Sequence, residues 1–229
     1  MALDVLFPQH CVGCGHEGDF LCQSCRQALP RIVPPLCPKC GQPQPSGILC
    51  PDCRGWPAHI DGIRSPFRFD GVIRQAIHQL KYRNLRALAA PLAELLQAYL
   101  VASPIPDGTL VPVPIHPRRL RERGYNQSGL LARELGKLSG RPVVMDCLIR
   151  EQDTPPQART ASRQERQRNV AHAFTCRDQR LNNQPVLLID DVATSGATVD
   201  ACAAALKSAG TTRVWALVLA KEILEIRPV

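Results

Sequence analysis

Four C-x-x-C pairs, Cys11–Cys14, Cys22–Cys25, Cys37–Cys40 and Cys50–Cys53, stand within the first 53 residues of this 229-residue chain. Two residues between thiolates let one tight turn present both sulfurs to a single ion, and four thiolates complete a tetrahedral site. Eight thiolates therefore make two closed, structural zinc sites. Sequential pairing is the simplest: Cys11, Cys14, Cys22 and Cys25 on one ion, Cys37, Cys40, Cys50 and Cys53 on the other. The alternating cross-brace uses the same residues, and iron–sulfur ligation is the lesser alternative. Gly15 and Gly41 each follow the second Cys of a pair, where the turn calls for a permissive backbone. His10, His16 and His59 lie near complete Cys sets and read as bystanders.

The metal reading is tied to compartment. No stretch approaches 18 uninterrupted apolar residues, and the first residues lack the basic region of a signal peptide. The expectation is a cytoplasmic protein without a membrane span, where thiols stay reduced rather than pairing as disulfides.

Residues 1–57 hold eight of the eleven Cys and nine of the 21 Pro. Such a segment buries too little to fold by core alone and needs a staple. The expected division is a double zinc ribbon at 1–57 and a second domain at 58–229. The second part alternates short apolar runs with amphipathic stretches, as an α/β domain does. Strands are expected at 62–69, 109–113, 143–149, 186–189 and 214–220. Helices are expected after Asp70 and at 85–101, 124–139 and 198–208, with Gly210 closing the last. The run 186–189 is apolar throughout, as in a strand buried on both faces. Residues 162–168 read as a short polar helix or loop. Cys147, Cys176 and Cys202 have no metal spacing, and Cys202 reads as a small core residue.

The richest chemistry follows that strand: Val186-Leu-Leu-Ile-Asp190-Asp191-Val192-Ala193-Thr194-Ser195-Gly196-Ala197-Thr198. In an open parallel sheet, ligands bind beyond the carboxyl ends of strands. The loop delivers backbone N–H groups and a helix N-terminus to one point, which suits a phosphate dianion. Thr194, Ser195 and Thr198 add hydroxyls, and Gly196 allows close approach. The carboxylates accept hydrogen bonds only, so vicinal sugar hydroxyls suit them. The whole describes a ribose 5-phosphate site. These residues resemble the motif by which type I phosphoribosyltransferases bind phosphoribosyl pyrophosphate (PRPP). The resemblance implies that Asp190 and Asp191 hold the ribose hydroxyls, and that Ala193, Thr194, Ser195, Gly196, Ala197 and Thr198 hold the 5′-phosphate. It also implies Mg²⁺ accompanying PRPP, bridging the diphosphate and ribose hydroxyls. No G-x-x-x-x-G-K-[ST] run supports an NTPase.

The order of further segments is similar to the competence protein F (ComF) family. It runs from the Cys pairs through Gln79-Leu-Lys81-Tyr82, Val111-Pro-Val-Pro114 and Arg123-Gly-Tyr-Asn-Gln127. It continues through Gln157, Arg166-x-x-Asn169-Val-Ala and Phe174 to the phosphate loop. The resemblance spans nearly the whole chain. It implies a double zinc ribbon joined to a type I phosphoribosyltransferase-like fold, and a link to DNA uptake or to use of DNA as a nutrient.

Charge is concentrated in the second part. The chain carries +8, with four basic and four acidic residues in 1–57, so the excess lies beyond the Cys pairs. Arg supplies 23 of the 28 basic residues, and its planar fork matches phosphate oxygens. One cluster is Arg118, Arg119, Arg121 and Arg123; another is Arg159, Arg163, Arg166 and Arg168. Pro114 and Gly124 bracket the first as a loop, and the resemblance implies a mobile loop closing over the diphosphate, with Lys81 also facing phosphate. The competing readings are a track for a nucleic-acid backbone and a solvated basic face. Two functions follow: a phosphoribosyl-transferring enzyme of undetermined acceptor, or a non-catalytic module that senses a nucleotide or binds single-stranded DNA. Tyr82 and Tyr125 could stack a base, although ten aromatics make a thin platform.

Overall fold

The computed structural model describes residues 9–103, 105–153, 169–170 and 172–223. Two short helices, α1 (Gln23–Gln27) and α2 (Pro51–Arg54), follow the third Cys of each set. Then come β1 (Gly62–Arg64), β2 (Phe67–Arg68), α3 (Gly71–Tyr82), a 3₁₀ turn (Arg86–Leu88) and α4 (Ala89–Ala102). The chain continues through β3 (Thr109–Pro112), α5 (Pro117–Arg123), α6 (Gln127–Ser139), β4 (Leu148–Arg150) and β5 (Phe174–Cys176). It closes with β6 (Pro185–Ala193), α7 (Ala197–Ser208) and β7 (Arg213–Lys221).

The main sheet has the order β1-β7-β6-β3, with β2 also on β7, and every pairing is parallel. The fold is thus mixed α/β on a parallel sheet, as the alternating pattern predicts. β4 and β5 form a separate antiparallel pair. Alternate residues of β6 feed two cores. Leu187 and Ile189 pack with Ile77 and Leu80 of α3, Leu92 and Leu96 of α4, and Leu131 and Leu135 of α6. Val186 and Leu188 pack with Val199, Cys202 and Leu206 of α7 and with Phe174 of β5. A strand buried on both faces is the physical content of its unbroken apolar run.

Each Cys set joins one of these cores: Cys11, Cys22 and Cys25 on the α3–α4 face, and Cys37, Cys40, Cys50 and Cys53 on the α7 face. The intervening chain covers the sheet edge. Ile32 N–H donates to the Pro66 carbonyl at 2.8 Å, Arg68 N–H to Pro30 at 2.8 Å, and Ile63 N–H to Lys39 at 2.7 Å. An edge strand left bare would offer those groups to another chain.

Several boundaries differ from the sequence reading. The strand expected over 62–69 splits into β1 and β2 around Ser65 and Pro66, because proline brings no N–H to a ladder. In place of a strand over 143–149, Val143 makes one bridge to Leu110 and the strand proper is Leu148–Arg150. The stretch read as a loop around Arg118–Arg123 is helix α5. His116 caps it through its ring nitrogen, Pro117 occupies its first turn, and Gly124 ends it at φ 79°. Pro at the start and left-handed Gly just past the end punctuate a helix as well as a loop. The helix expected from Gly124 therefore begins at Gln127, capped by Asn126. Asp70 caps α3 as expected, accepting from Gly71 N–H. Residues 162–168, with the second arginine cluster at Arg159, Arg163, Arg166 and Arg168, lie outside the described residues.

Candidate functional site

The sulfurs of Cys11, Cys14, Cys22 and Cys25 lie within 4.8 Å of one another, as do those of Cys37, Cys40, Cys50 and Cys53. The pairing is sequential, not cross-braced. Cys14 and Cys22 sulfurs are 3.6 Å apart, and Cys40 and Cys50 sulfurs 3.7 Å. A tetrahedron with Zn–S of about 2.3 Å has S–S edges of about 3.8 Å, so both sets fit zinc. The two knuckles repeat each other in detail. Cys22 N–H points at Cys11 Sγ and Cys50 N–H at Cys37 Sγ, both at 3.4 Å. Gly15 and Gly41 take φ of 77° and 70°, as the turn requires. Four protein ligands per site leave no open position, which makes the sites structural.

The acid pair closes β6. Asp190 and Asp191 are 8% and 2% exposed, and each has an assigned partner. Ser128 Oγ donates to Asp190 Oδ1 at 2.7 Å, and Asp191 N–H donates to the same oxygen at 2.9 Å. Lys81, in the last turn of α3, forms an ion pair with Asp191. Gln127 Nε2 reaches Asp191 Oδ1 at 3.3 Å, while its Oε1 accepts from Arg123. One chain of contacts thus runs Arg123–Gln127–Asp191–Lys81. Burial, and then the neighbouring Asp191 charge, raise Asp190 to about 7. Burial would raise Asp191 too, but the Lys81 ammonium outweighs it and holds this carboxyl below the usual range. The two acids are therefore unlike: one poised near neutrality, one fixed as an anion.

The loop beyond them turns at Gly196, with φ 83°, directly into α7. The N-cap residue, Gly196, offers no side chain, and the first helical N–H, of Ala197, donates to Ser195 Oγ at 3.4 Å. The first N–H groups of any helix lack intrahelical acceptors and carry its positive end. Thr194 is exposed at the mouth, and Thr198 is half-buried.

Beside Lys81 opens a cavity of about 400 Å³, lined by Lys81, Tyr82, Asn84, Arg119, Glu122, Arg123 and Tyr125. Its floor is aromatic and its wall cationic: Arg123 lies over Tyr82 at 5.5 Å, and Arg86 over Tyr125 at 4.6 Å. Of the four α5 arginines, Arg119 and Arg123 line this cavity. Arg118 is exposed, engaged with Glu122 at 3.0 Å and Asp153 at 3.7 Å, and Arg121 is exposed.

The structure thus brings Asp190, Asp191, Lys81 and Arg123 into one network and places the 193–198 turn directly after it. Gln127 and Ser128, which link the network, carry no role in the sequence reading. Ser128 precedes Leu131 and Leu135 on the inward face of α6, so the helical period marks it as a buried hydroxyl needing a partner. Among the described residues no helix is long and apolar enough to cross a membrane.

A family model described as a double zinc ribbon domain matches residues 2–54. Competence protein ComFC of Bacillus subtilis is 28% identical over 83% of this chain and 79% of its own length. DNA utilization protein YhgH of Salmonella typhi is 33% identical over 86% and 89%. Competence protein F of Haemophilus influenzae is 28% identical over 91% and 94%. Among solved structures, glutamine PRPP amidotransferase of Bacillus subtilis matches 57% of this chain at 17% identity and a TM-score of 0.39. That match spans only 26% of the amidotransferase chain. Hypoxanthine-guanine phosphoribosyl transferase of Leishmania donovani (L. donovani) matches 64% of this chain and 67% of its own at 13% identity and a TM-score of 0.33.

Proposed function

The chain belongs to the competence protein F (ComF) family, and from that premise we propose that it binds PRPP, or a nucleotide carrying ribose 5-phosphate, in the service of DNA uptake or utilisation. The observation that carries the ligand reading is the end of β6: two buried carboxylates followed within six residues by a helix N-terminus whose N-cap is a glycine. Acceptor-only carboxylates suit the ribose hydroxyls, and the 193–198 turn suits the 5′-phosphate. Binding exchanges partners rather than creating a site from nothing, since Ser128 and Lys81 already engage the acids.

The diphosphate falls to the cationic cavity beside Lys81, with Arg119 and Arg123 in its wall. PRPP would enter as its Mg²⁺ complex. The protein's own contribution is to hold the ribose and neutralise the departing diphosphate, a positioning role that needs no dedicated general base. The names of the relatives supply the process, and the residues supply the ligand class.

Calorimetry with PRPP and Mg²⁺ tests this reading. Wild type should bind, and Asp190→Asn and Asp191→Asn should each weaken binding about tenfold or more, because an amide is a poorer acceptor than a carboxylate. Wild-type affinity in both variants would overturn it. Binding of single-stranded DNA by fluorescence anisotropy with no response to PRPP would instead favour the nucleic-acid module.

A further inference from the structure

The two Cys₄ centres are alike as metal knuckles but differ in what they touch. The first packs on the α3 side: a Cβ on Gly13 would lie 2.7 Å from Cys25 Sγ and 2.9 Å from Val72 of α3. The second leans on the phosphate turn by two routes. Trp56 hangs from its last ligand, with its N–H directed to the Cys53 carbonyl at 3.4 Å. The far edge of its indole reaches Gly196: a Cβ there would sit 3.3 Å from Trp56 Cη2 and 2.8 Å from Ile63 Cδ1. Ile63 in turn is clamped by the knuckle, for its N–H donates to Lys39 at 2.7 Å and its carbonyl oxygen lies 2.5 Å from where a Cβ on Gly41 would be.

We propose that Trp56 and Ile63 are positioning residues that couple the second Cys₄ centre, and not the first, to the 194–196 turn, so that metal binding there and phosphate-monoester binding at the turn strengthen each other. Residues 194–196 have the Gly196 φ of 83° to maintain, and a glycine N-cap brings no side chain of its own to hold the turn. A rigid platform beneath the glycine supplies that order in advance, which lowers the cost of ligand binding. The proposal rests on the reading of the turn as a phosphate site.

Linkage requires any such coupling to be reciprocal, which gives a readout apart from activity. The intact zinc-loaded chain is titrated with a chromogenic chelator of known zinc affinity, with and without saturating ribose 5-phosphate. One of the two zinc affinities should rise at least ~5-fold with the ligand, the lower end of ordinary coupling, and the other should stay unchanged. Trp56→Leu and Ile63→Val, which removes the Cδ1 that meets Gly196, should each retain two zinc ions and lose the ligand effect, whereas Val72→Ala, beside the first centre, should keep it. Equal zinc affinities with and without ligand, in a chain that calorimetry shows to bind ribose 5-phosphate, would overturn the coupling alone. A chain that does not bind ribose 5-phosphate would overturn the phosphate-site reading and the coupling with it. A ligand effect that survives both Trp56→Leu and Ile63→Val would refute the assigned residues.

Discussion

Lys81→Met should be among the most damaging single substitutions in this protein, and the reason is where its partner sits. The Asp191 side chain is 3% exposed and that of Lys81 20%. Methionine preserves most of the stem and removes the ammonium, which leaves two adjacent buried carboxylates with no cation in contact. Two unit charges about 4 Å apart interact by about 4 kcal/mol at an effective dielectric near 20. Breaking a buried pair by removing one partner costs about 3–5 kcal/mol, for the same reason. Urea unfolding at pH 7 in the presence of zinc, analysed as a double-mutant cycle with Asp191→Asn, measures it. The Lys81→Met variant should lose about 3–5 kcal/mol, and Lys81→Met with Asp191→Asn should recover much of that. A loss below about 1 kcal/mol with no coupling in the cycle would place the pair with solvent-exposed ion pairs and refute the argument.

Other consequences can be measured independently. Because Asp190 is raised to about 7, the folded chain holds a proton that an unfolded Asp releases near pH 4, so this group's contribution to stability is greatest below about pH 4 and falls as pH rises to 7. Asp190→Asn should therefore stabilise the chain at pH 8, by up to about 4 kcal/mol, and much less at pH 5 in paired denaturation curves; a stabilisation independent of pH would contradict it. Asp191 has the opposite sign: its lowered value gives stability that is present above about pH 4 and lost as acid protonates it. Metal analysis should give about two zinc ions per chain, and chelation should unfold residues 9–57 in hydrogen exchange; protection that survives complete metal removal would count against structural zinc. Arg119→Ala and Arg123→Ala should weaken PRPP far more than ribose 5-phosphate in calorimetry, while Arg118→Ala, already engaged with Glu122 and Asp153 at the surface, should change neither by more than about twofold. Equal losses for the two ligands would remove the diphosphate from the α5 cavity.

What the sequence discloses here is local, and what it hides is mostly distant pairing. The Cys spacing announces two metal sites because each knuckle is a self-contained turn. Pairs of knuckles compatible with either a sequential or a cross-braced arrangement resolve only once the fold gathers their sulfurs into two sets, each within 4.8 Å. The unbroken run from Val186 to Ile189 announces β6, and Gly196 announces the turn into α7, because strand burial and positive φ both leave marks within a few residues. The Lys81–Asp191 pair leaves no such mark. The sequence marks each residue for a role of its own, and only the tertiary fold, which sets the end of α3 beside the end of β6, makes them partners. Gln127 and Ser128 are intermediate cases: polar residues at a helix start look like capping, and Asn126 does cap, but their burial comes from the tertiary fold. The arginines of α5 misread as a loop because Pro and Gly punctuate both structures, and seven residues carry too little periodicity to decide between them.

The measurement that bears most directly on the ligand is a crystal structure of the zinc-loaded chain grown with saturating PRPP and Mg²⁺. The account predicts the 5′-phosphate within hydrogen-bond distance of backbone N–H groups between Gly196 and Val199, the ribose hydroxyls on Asp190 and Asp191, and the diphosphate toward Arg119 and Arg123. A phosphate bound only along α5, with the turn at 194–198 empty and the acids still joined to Ser128 and Lys81, would contradict it.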